Sequence, residues 1–171
     1  DLTGGSAING ISGGLAVGTT TFNVTTNDVD GYTVSIAFDA AVAMQGDSGV
    51  TTDIPNYVPT VGGVPDYNFS VSTGEAWFAY TAYNNTTPAD TDDSFKDNGS
   101  NTCGAGTATV GHCWFNKTTA SDAEQIINGA QTAISGATST LVFQVGVGSD
   151  PDPALDSGTY TATATLTANV K

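Results

Sequence analysis

The residues best suited to chemistry in this chain are one histidine and two cysteines. His112 stands next to Cys113, and Cys103 lies nearby. A thiolate beside an imidazole can act as a nucleophile, but adjacent residues of an extended chain point to opposite sides, so these side chains do not meet easily. Two cysteines and one histidine at this spacing also match no closed zinc site. We therefore predict a local disulfide between Cys103 and Cys113, as in proteins of oxidising compartments.

Acidic side chains are the other candidates, because they could catalyse hydrolysis or bind calcium. The chain has 17 acidic residues, and nearly all are Asp in turn-forming sequences, where a turn role explains them. None of its acidic loops has the glycine and the closing glutamate of an EF-hand loop. We predict no metal, no cofactor and no enzymatic activity, and calcium binding by one of the acidic loops is the alternative. The acidic loops contain Asp28 and Asp30; Asp90, Asp92, Asp93 and Asp97; and Asp150, Asp152 and Asp156.

The charge of the chain excludes two classes of partner. The formal net charge is −14, with three lysines and no arginine. Nucleic acids need basic residues for their phosphates, and anionic membranes attract basic surfaces rather than acidic ones. No apolar run is long enough for a membrane-spanning helix. Because the sequence starts at Asp1, we predict a protein that is secreted to the cell surface or extracellular space with its signal peptide removed.

Candidate glycosylation sites agree with an extracellular location. The triplet Asn-X-Ser/Thr is the acceptor for N-linked glycans. Chance produces some of these triplets in a chain with 28 threonines, so we predict glycans on only part of them. The triplets begin at Asn23, Asn68, Asn84, Asn85, Asn98 and Asn116.

Alternating apolar and polar residues predict an all-β fold. The clearest stretch is 159–171, where every even position is apolar, so we predict one long strand with one buried face. Similar alternation predicts strands at 20–26, 32–38 and 140–147. The stretch 75–83 is apolar on both faces, which predicts a strand that is buried on both sides.

One helix and one long loop complete the predicted fold. Ser121 and Glu124 form a capping box, which predicts a short helix at 121–127 that Gly129 can end. Residues 84–112 form a long polar segment next to the predicted disulfide. We predict an Ig-like or jelly-roll β-sandwich with one short helix and a long disulfide-stapled loop.

The composition of residues 1–18 predicts an extension that precedes the sandwich domain. Residues 1–18 are rich in glycine, and their few apolar side chains lack bulky partners, so they are poor material for a central strand. We assign residues 1–18 as a candidate donor strand and 19–171 as a single sandwich domain, whose C-terminal strand helps to line the receiving groove. The donor residues of one parity are Ala7, Ile11, Leu15 and Val17.

Three stretches together resemble known surface proteins. They are FNVTTNDVDGYTVSI at 22–36, GEAWFAYTAY at 74–83, and the segment 139–170 with its ending SGTYTATATLTANV. The pattern resembles secreted Ig-like β-sandwich proteins of bacterial cell surfaces, and its ending resembles the last strand of spore-coat-U-type pilin domains, which donate a strand to a neighbour. The architecture is similar to camelysin-type biofilm fibre proteins and archaeal bundling pilins. The chain lacks the first-strand cysteine of chaperone–usher pilins and the helix of type IV pilins. The resemblance implies a structural surface role without catalytic residues.

The sequence therefore predicts a subunit of an extracellular filament, pilus or surface layer. Each copy would donate residues 1–18 to the next by β-addition, and head-to-tail contacts of this kind build a homopolymer. The alternative is a carbohydrate-binding module or adhesin, which would stack sugar rings on aromatic side chains. The candidate aromatic residues are Trp77, Tyr80, Tyr83 and Trp114.

Overall fold

The protein is an all-β sandwich with two main antiparallel sheets. The computed structural model describes residues 8, 12–116 and 122–171. Two short 3-10 helices cover Pro88–Asp90 and Asp93–Phe95. The strands are β1 (Gly14–Thr26), β2 (Tyr32–Phe38), β3 (Met44–Gly46), β4 (Ala76–Asn84), β5 (Lys96–Asp97), β6 (Thr107–Ala108), β7 (Glu124–Gly129), β8 (Ala133–Val147), β9 (Tyr160–Ala162) and β10 (Ala164–Val170).

Sheet 1 has the strand order β1-β8-β4 and is antiparallel throughout. Leu141 and Phe143 of β8 alternate with outward residues and are buried in the core between the sheets. β4 is buried on both faces, as its sequence predicts. Phe78 and Tyr80 face the main core, while Ala79 faces outward beneath covering loops.

Sheet 2 has the strand order β10-β2-β7. Every second residue of β2 is buried, which matches the predicted alternation and places these side chains in the main core. Aromatic rings from both sheets meet there. The ring centroid of Phe38 lies 5.6 Å from those of Phe78 and Tyr80.

Loops cover the outer face of sheet 1 and form a second, smaller core. Tyr57 and Trp114 come from these loops and are buried against Ala79 of β4. The loop backbones also form isolated bridges to β4 at Phe78 and Tyr80. This edge of sheet 1 is therefore occupied.

The strand directions define an upper and a lower end of the sandwich. β1 starts at the lower end, and the turn at 27–31 carries the chain over the upper end to the start of β2. β10 is antiparallel to β2, so it also runs upward and ends at Val170. Because β4 packs against β7 on one side, the other two edge strands, β1 and β10, share the opposite side.

The predicted helix at 121–127 is wrong for the residues that the structure describes. Residues 124–129 form strand β7, which pairs with β2, and Ser121 lies outside the described residues. Ile126 and Ile127 are fully buried. β-Branched residues suit strands, and pairing within a sheet overrides a capping signal that stabilises only a helix terminus.

The predicted long C-terminal strand is in fact two strands with different partners. β9 pairs with β3, whereas β10 pairs with β2. The break falls at Thr163, whose carbonyl oxygen accepts a hydrogen bond of 3.2 Å from the backbone N–H of Asp39. A period of two continues unchanged through such a break, so the sequence pattern does not reveal the change of partner.

The proposed boundary between extension and sandwich falls inside a strand. Residues 14–18 belong to β1 and pair with residues 143–147 of β8, so the fold does not divide at residue 18. Leu15 and Val17 lie half-exposed on the outer face of sheet 1. Ala7 and Ile11 lie outside the described residues.

Candidate functional site

Cys103 and Cys113 form the predicted disulfide, and their Cα atoms are 5.7 Å apart. Cys113 has a left-handed backbone, with φ of 62°. It leads directly into Trp114 and Phe115, which are both buried. The disulfide therefore ties the long polar loop to the segment that covers sheet 1.

Replacing both cysteines by serine should lower the free energy of unfolding by on the order of 2–3 kcal/mol, because the unfolded chain regains the freedom that a short closed loop lacks. Urea unfolding of the oxidised protein and of the Cys103→Ser/Cys113→Ser variant would measure this loss. The reduced native chain serves as the control and should unfold with the variant. Equal stability of the oxidised protein and the variant would show that packing alone holds the loop.

His112 and Cys113 cannot form a nucleophilic pair, because the sulfur of Cys113 is in the disulfide. The imidazole of His112 instead stacks on Tyr67, with ring centroids 4.1 Å apart and an interplanar angle of 11°. Its Nδ1 atom lies 3.3 Å from the carbonyl oxygen of Tyr67. The histidine therefore has a packing role beside the covering loops.

The acidic loops use their carboxylates to fix the backbone. Asp92 accepts hydrogen bonds from the backbone N–H of Ser94 and from the amide of Gln125. Asp156 accepts bonds from the hydroxyl and the backbone N–H of Thr51, and these bonds lower the pKa of its carboxyl. Within residues 8, 12–116 and 122–171, no three His, Cys, Asp or Glu side chains come together as a metal site.

Asp97 holds the start of the disulfide-stapled loop in the same way. Its carboxylate accepts a hydrogen bond from the hydroxyl of Thr109 and another from the backbone N–H of Gly99. Both bonds favour the charged form and lower the pKa of Asp97. This carboxylate is a structural element of the loop.

The aromatic residues proposed for sugar stacking are mostly inside the protein. Tyr80 and Trp114 are buried, so neither can present a ring face to a sugar. Trp77 is half-buried; it packs edge-on against Tyr57, and its indole N–H donates to Glu75. Tyr83 is also half-buried. These four side chains do not form an exposed aromatic platform.

The six candidate glycosylation sites divide into two buried and four exposed asparagines. Asn84 and Asn116 are buried, and their amide nitrogens donate to the hydroxyl of Tyr32 and to the carbonyl of Phe78 respectively. Neither nitrogen can accept a glycan in the folded domain, which corrects these two assignments. Exposed side chains remain at Asn23, Asn68, Asn85 and Asn98.

The inner face of β10 is an apolar surface that no other described residue buries. Its inward residues share a face with the buried residues of β2 that they oppose. Those β2 side chains are at most 6% exposed, whereas all of β10 is exposed, Leu166 by 37% and Val170 by 64%. We call the inward residues of β10 the open row. They are Ala164, Leu166, Ala168 and Val170, opposite Phe38, Ile36, Val34 and Tyr32.

The inward side chains of β1 are small near its start, so among the described residues they leave the lower part of the open row uncovered. Ala16 and Gly18 point inward there, and only Phe22 and Val24, further along, pack against the core. Sequence reasoning predicted the alternation of β10 but missed its exposure. The small residues at positions 14, 16 and 18 were the available signal for the lower part of the row.

On this side of the sandwich the strand edges also have unpaired backbone hydrogen-bonding groups. β1 and β10 are both edge strands, and within the described part of the chain neither pairs with a strand on its outer side. The free edge of a strand presents unpaired N–H and C=O groups that can bond to another extended segment. An apolar row beside a free edge is a geometry that can accept one further strand.

The chain matches no known protein family, no curated protein and no solved structure. Among the residues that the structure describes, no helix is long and apolar enough to cross a lipid bilayer. The open row and the free edges beside it therefore form the candidate functional site.

Proposed function

We propose that this protein is the subunit of an extracellular filament in which each copy accepts a β-strand from its neighbour along β10. The observation that carries the proposal is the open row, whose apolar side chains lie in solvent although they share a face with the buried residues of β2. A strand added at the free edge of β10 would satisfy its backbone groups, and its side chains would cover the row.

The donated segment in this proposal is residues 1–13 of the neighbouring copy, which we call the arm. Residues 14–18 are excluded because they already pair with β8. The arm has no charged side chain after Asp1, and its glycines allow a close backbone approach. Its larger apolar residues are Leu2, Ile8 and Ile11.

A glycine forms the junction between the arm and the sandwich. Gly13 has a left-handed backbone with φ of 73°, and a Cβ atom there would lie 2.7 Å from the carbonyl oxygen of Val147. Glycine is therefore required where the chain turns into β1. In the single copy Ile8 lies beside Gly14 and packs against the main core. Strand exchange would replace that contact with one to the open row of a neighbour.

Covering the open row would stabilise the contact between two copies only moderately. The contact therefore also needs pairing along the whole of β10. Fully burying one Leu or Val side chain stabilises by about 1.5–3 kcal/mol, and Leu166 and Val170 are the two large members of the row. Loss of translational and rotational freedom offsets much of that gain. Backbone pairing along all of β10 is therefore needed for a lasting contact.

The disulfide and the exposed candidate glycosylation sites support the extracellular location in this proposal. The single disulfide favours an oxidising compartment. Four of the candidate glycosylation sites are exposed, and glycans on them would extend into solvent.

Electron microscopy of the purified chain, with and without the arm, tests the proposed function. The samples should be prepared at high ionic strength, because copies with a net charge of −14 repel each other. We expect filaments from the full chain and monomers from a chain that lacks residues 1–13. A synthetic peptide of residues 1–13 should bind the truncated monomer. Normal filaments from the truncated chain would refute the proposal.

A further inference from the structure

We infer that neighbouring copies stack end to end, with the upper end of one sandwich against the lower end of the next. The contact surface at the upper end is formed by Val29 and Ile134, together with Val170 where the open row ends; we call these three residues the upper patch. This inference rests on the proposed function, because it identifies the surface that the second copy covers after its arm is inserted. The occupant is a second copy of this chain.

The exposure of the upper patch is the first observation behind this inference. Val29 is 78% exposed, Ile134 70% and Val170 64%, and these are the three most exposed large hydrophobic residues that the structure describes. Isolated exposed hydrophobics are common on protein surfaces. It is their concentration at one end of the sandwich that points to a partner.

The topology brings these three residues to the same end although they are far apart in sequence. Val29 lies in the turn between β1 and β2, and Ile134 follows Ala133, which pairs with Thr26 at the end of β1. Val170 ends β10. Lys171, which follows Val170, donates its backbone N–H to the carbonyl oxygen of Gly31, beside the turn that contains Val29.

The direction of the strands decides which end of the neighbour meets the upper patch. β1 starts at the lower end of its own copy, so the arm leaves from that end. If the arm lies parallel to β10 of the acceptor, it runs upward and exits at the acceptor's upper end. The donor's lower end then faces the acceptor's upper patch. Every copy repeats this relation, so the contacts form an open, head-to-tail series.

The length of the connection keeps the two ends close together. When pairing includes Ile11, only Ser12 and Gly13 separate the paired part of the arm from Gly14, where β1 begins. Three residue steps in an extended chain span roughly 10 Å. The lower end of the donor must therefore lie against the upper end of the acceptor.

The opposite arm direction would have a different structural consequence. An arm antiparallel to β10 would place the donor's Gly14 at the acceptor's lower end, near β3 and β9. Two copies could then exchange arms and close into a dimer, and the upper patches would remain in solvent. The upper patch therefore favours the parallel arrangement.

Some charged residues at the two ends favour the same end-to-end stacking, and others oppose it. Lys171 follows Val170 at the upper end, while Glu75, Asp150 and Asp152 lie around the lower end. Asp28 and Asp30 flank Val29 and would repel these acids. The end-to-end contact therefore combines apolar burial with one favourable cation, and it should strengthen with added salt.

Matched surface variants test the inference on the full chain. The Val29→Ser/Ile134→Ser variant removes two members of the upper patch but leaves the arm and the open row intact. The control is Val61→Ser/Val110→Ser, which changes two valines of similar exposure in other loops. Sedimentation of filaments gives the critical concentration of each protein, and thermal melting of the monomers checks that each is folded.

We expect the upper-patch variant to raise the critical concentration at least about tenfold and the control to leave it unchanged. An unchanged critical concentration for the upper-patch variant, while removal of residues 1–13 abolishes filaments, would overturn the inference but not the proposed function. Closed dimers of the full chain would also overturn the inference. Filaments that form without the arm, or a full chain that never assembles, would overturn both.

Cross-linking supplies a second readout that does not depend on contact strength. A short bismaleimide should join Val29→Cys of one copy to Thr73→Cys of the next, because Thr73 lies beside Ser149 at the lower end. A chain carrying both substitutions should give a ladder of covalent oligomers. The Val61→Cys/Thr73→Cys control should give none. A ladder from the control alone would contradict end-to-end stacking.

Discussion

Replacing Leu166 and Val170 by glutamate should abolish filament formation while the monomer stays folded. Both side chains belong to the open row and are exposed in the single copy, so two carboxylates there cost the monomer little. In the proposed filament the same positions lie beside the donated strand and pack against its inward side chains. Burying an unpaired carboxylate costs several kcal/mol. This cost exceeds the stabilisation that apolar burial of the open row would contribute. Electron microscopy and sedimentation of the Leu166→Glu/Val170→Glu variant measure the loss.

The outward face of the same strand provides the matched control for this variant. Thr165 and Thr167 alternate with the open row and point away from the core. The Thr165→Glu/Thr167→Glu variant adds the same charge to the same strand, and we expect it to retain filaments. Equal loss of assembly in both variants would show that the added negative charge itself prevents assembly and that the open row is not the acceptor.

Replacing Tyr80 by alanine should lower the free energy of unfolding by about 3–5 kcal/mol, the cost typical of a buried aromatic ring. Tyr80 is fully buried at the centre of the main core. Its ring centroid lies within 6.5 Å of those of Phe38, Phe95, Phe115 and Phe143, so the cavity would border four rings. Thermal and urea unfolding of the Tyr80→Ala variant measure the loss.

The Tyr80→Phe variant separates the ring from its hydroxyl. The Tyr80 hydroxyl is buried without a hydrogen-bond partner among the described residues, and burial raises the pKa of Tyr80. An unsatisfied buried hydroxyl costs roughly 1–3 kcal/mol, so we expect Tyr80→Phe to be as stable as the native chain or more so. Marked destabilisation by Tyr80→Phe would indicate that the hydroxyl has a stabilising role.

The parts of the fold that the sequence predicts are those decided by local alternation. Residues 32–38 and 140–147 place their large apolar side chains at every second position, and they are β2 and the second half of β8. The stretch 75–83 is apolar on both faces because loops cover one face of β4 and the core covers the other. The disulfide was also predictable, because the chain has only two cysteines and they are close in sequence.

The parts that the sequence does not predict depend on contacts between distant segments. Ser121 and Glu124 suggest a helix, but the pairing of β7 with β2 decides the conformation. Alternation in β10 predicts an apolar face without telling whether anything covers it. The open row depends on the placement of β1 and β10 on the same side of the sandwich, with small inward residues at the start of β1.

The long register between β1 and β8 has a mechanical consequence for the proposed filament. Tension would enter a copy through Gly13 and pull β1 along its own axis, while the next arm would pull β10 along β2. The hydrogen bonds of antiparallel strands run perpendicular to the strands, so such a load shears many bonds together instead of opening them one by one. The register extends from Gly14 opposite Val147 to Thr26 opposite Ala133. A filament built on it would resist stretching along its axis more strongly than peeling across its strands.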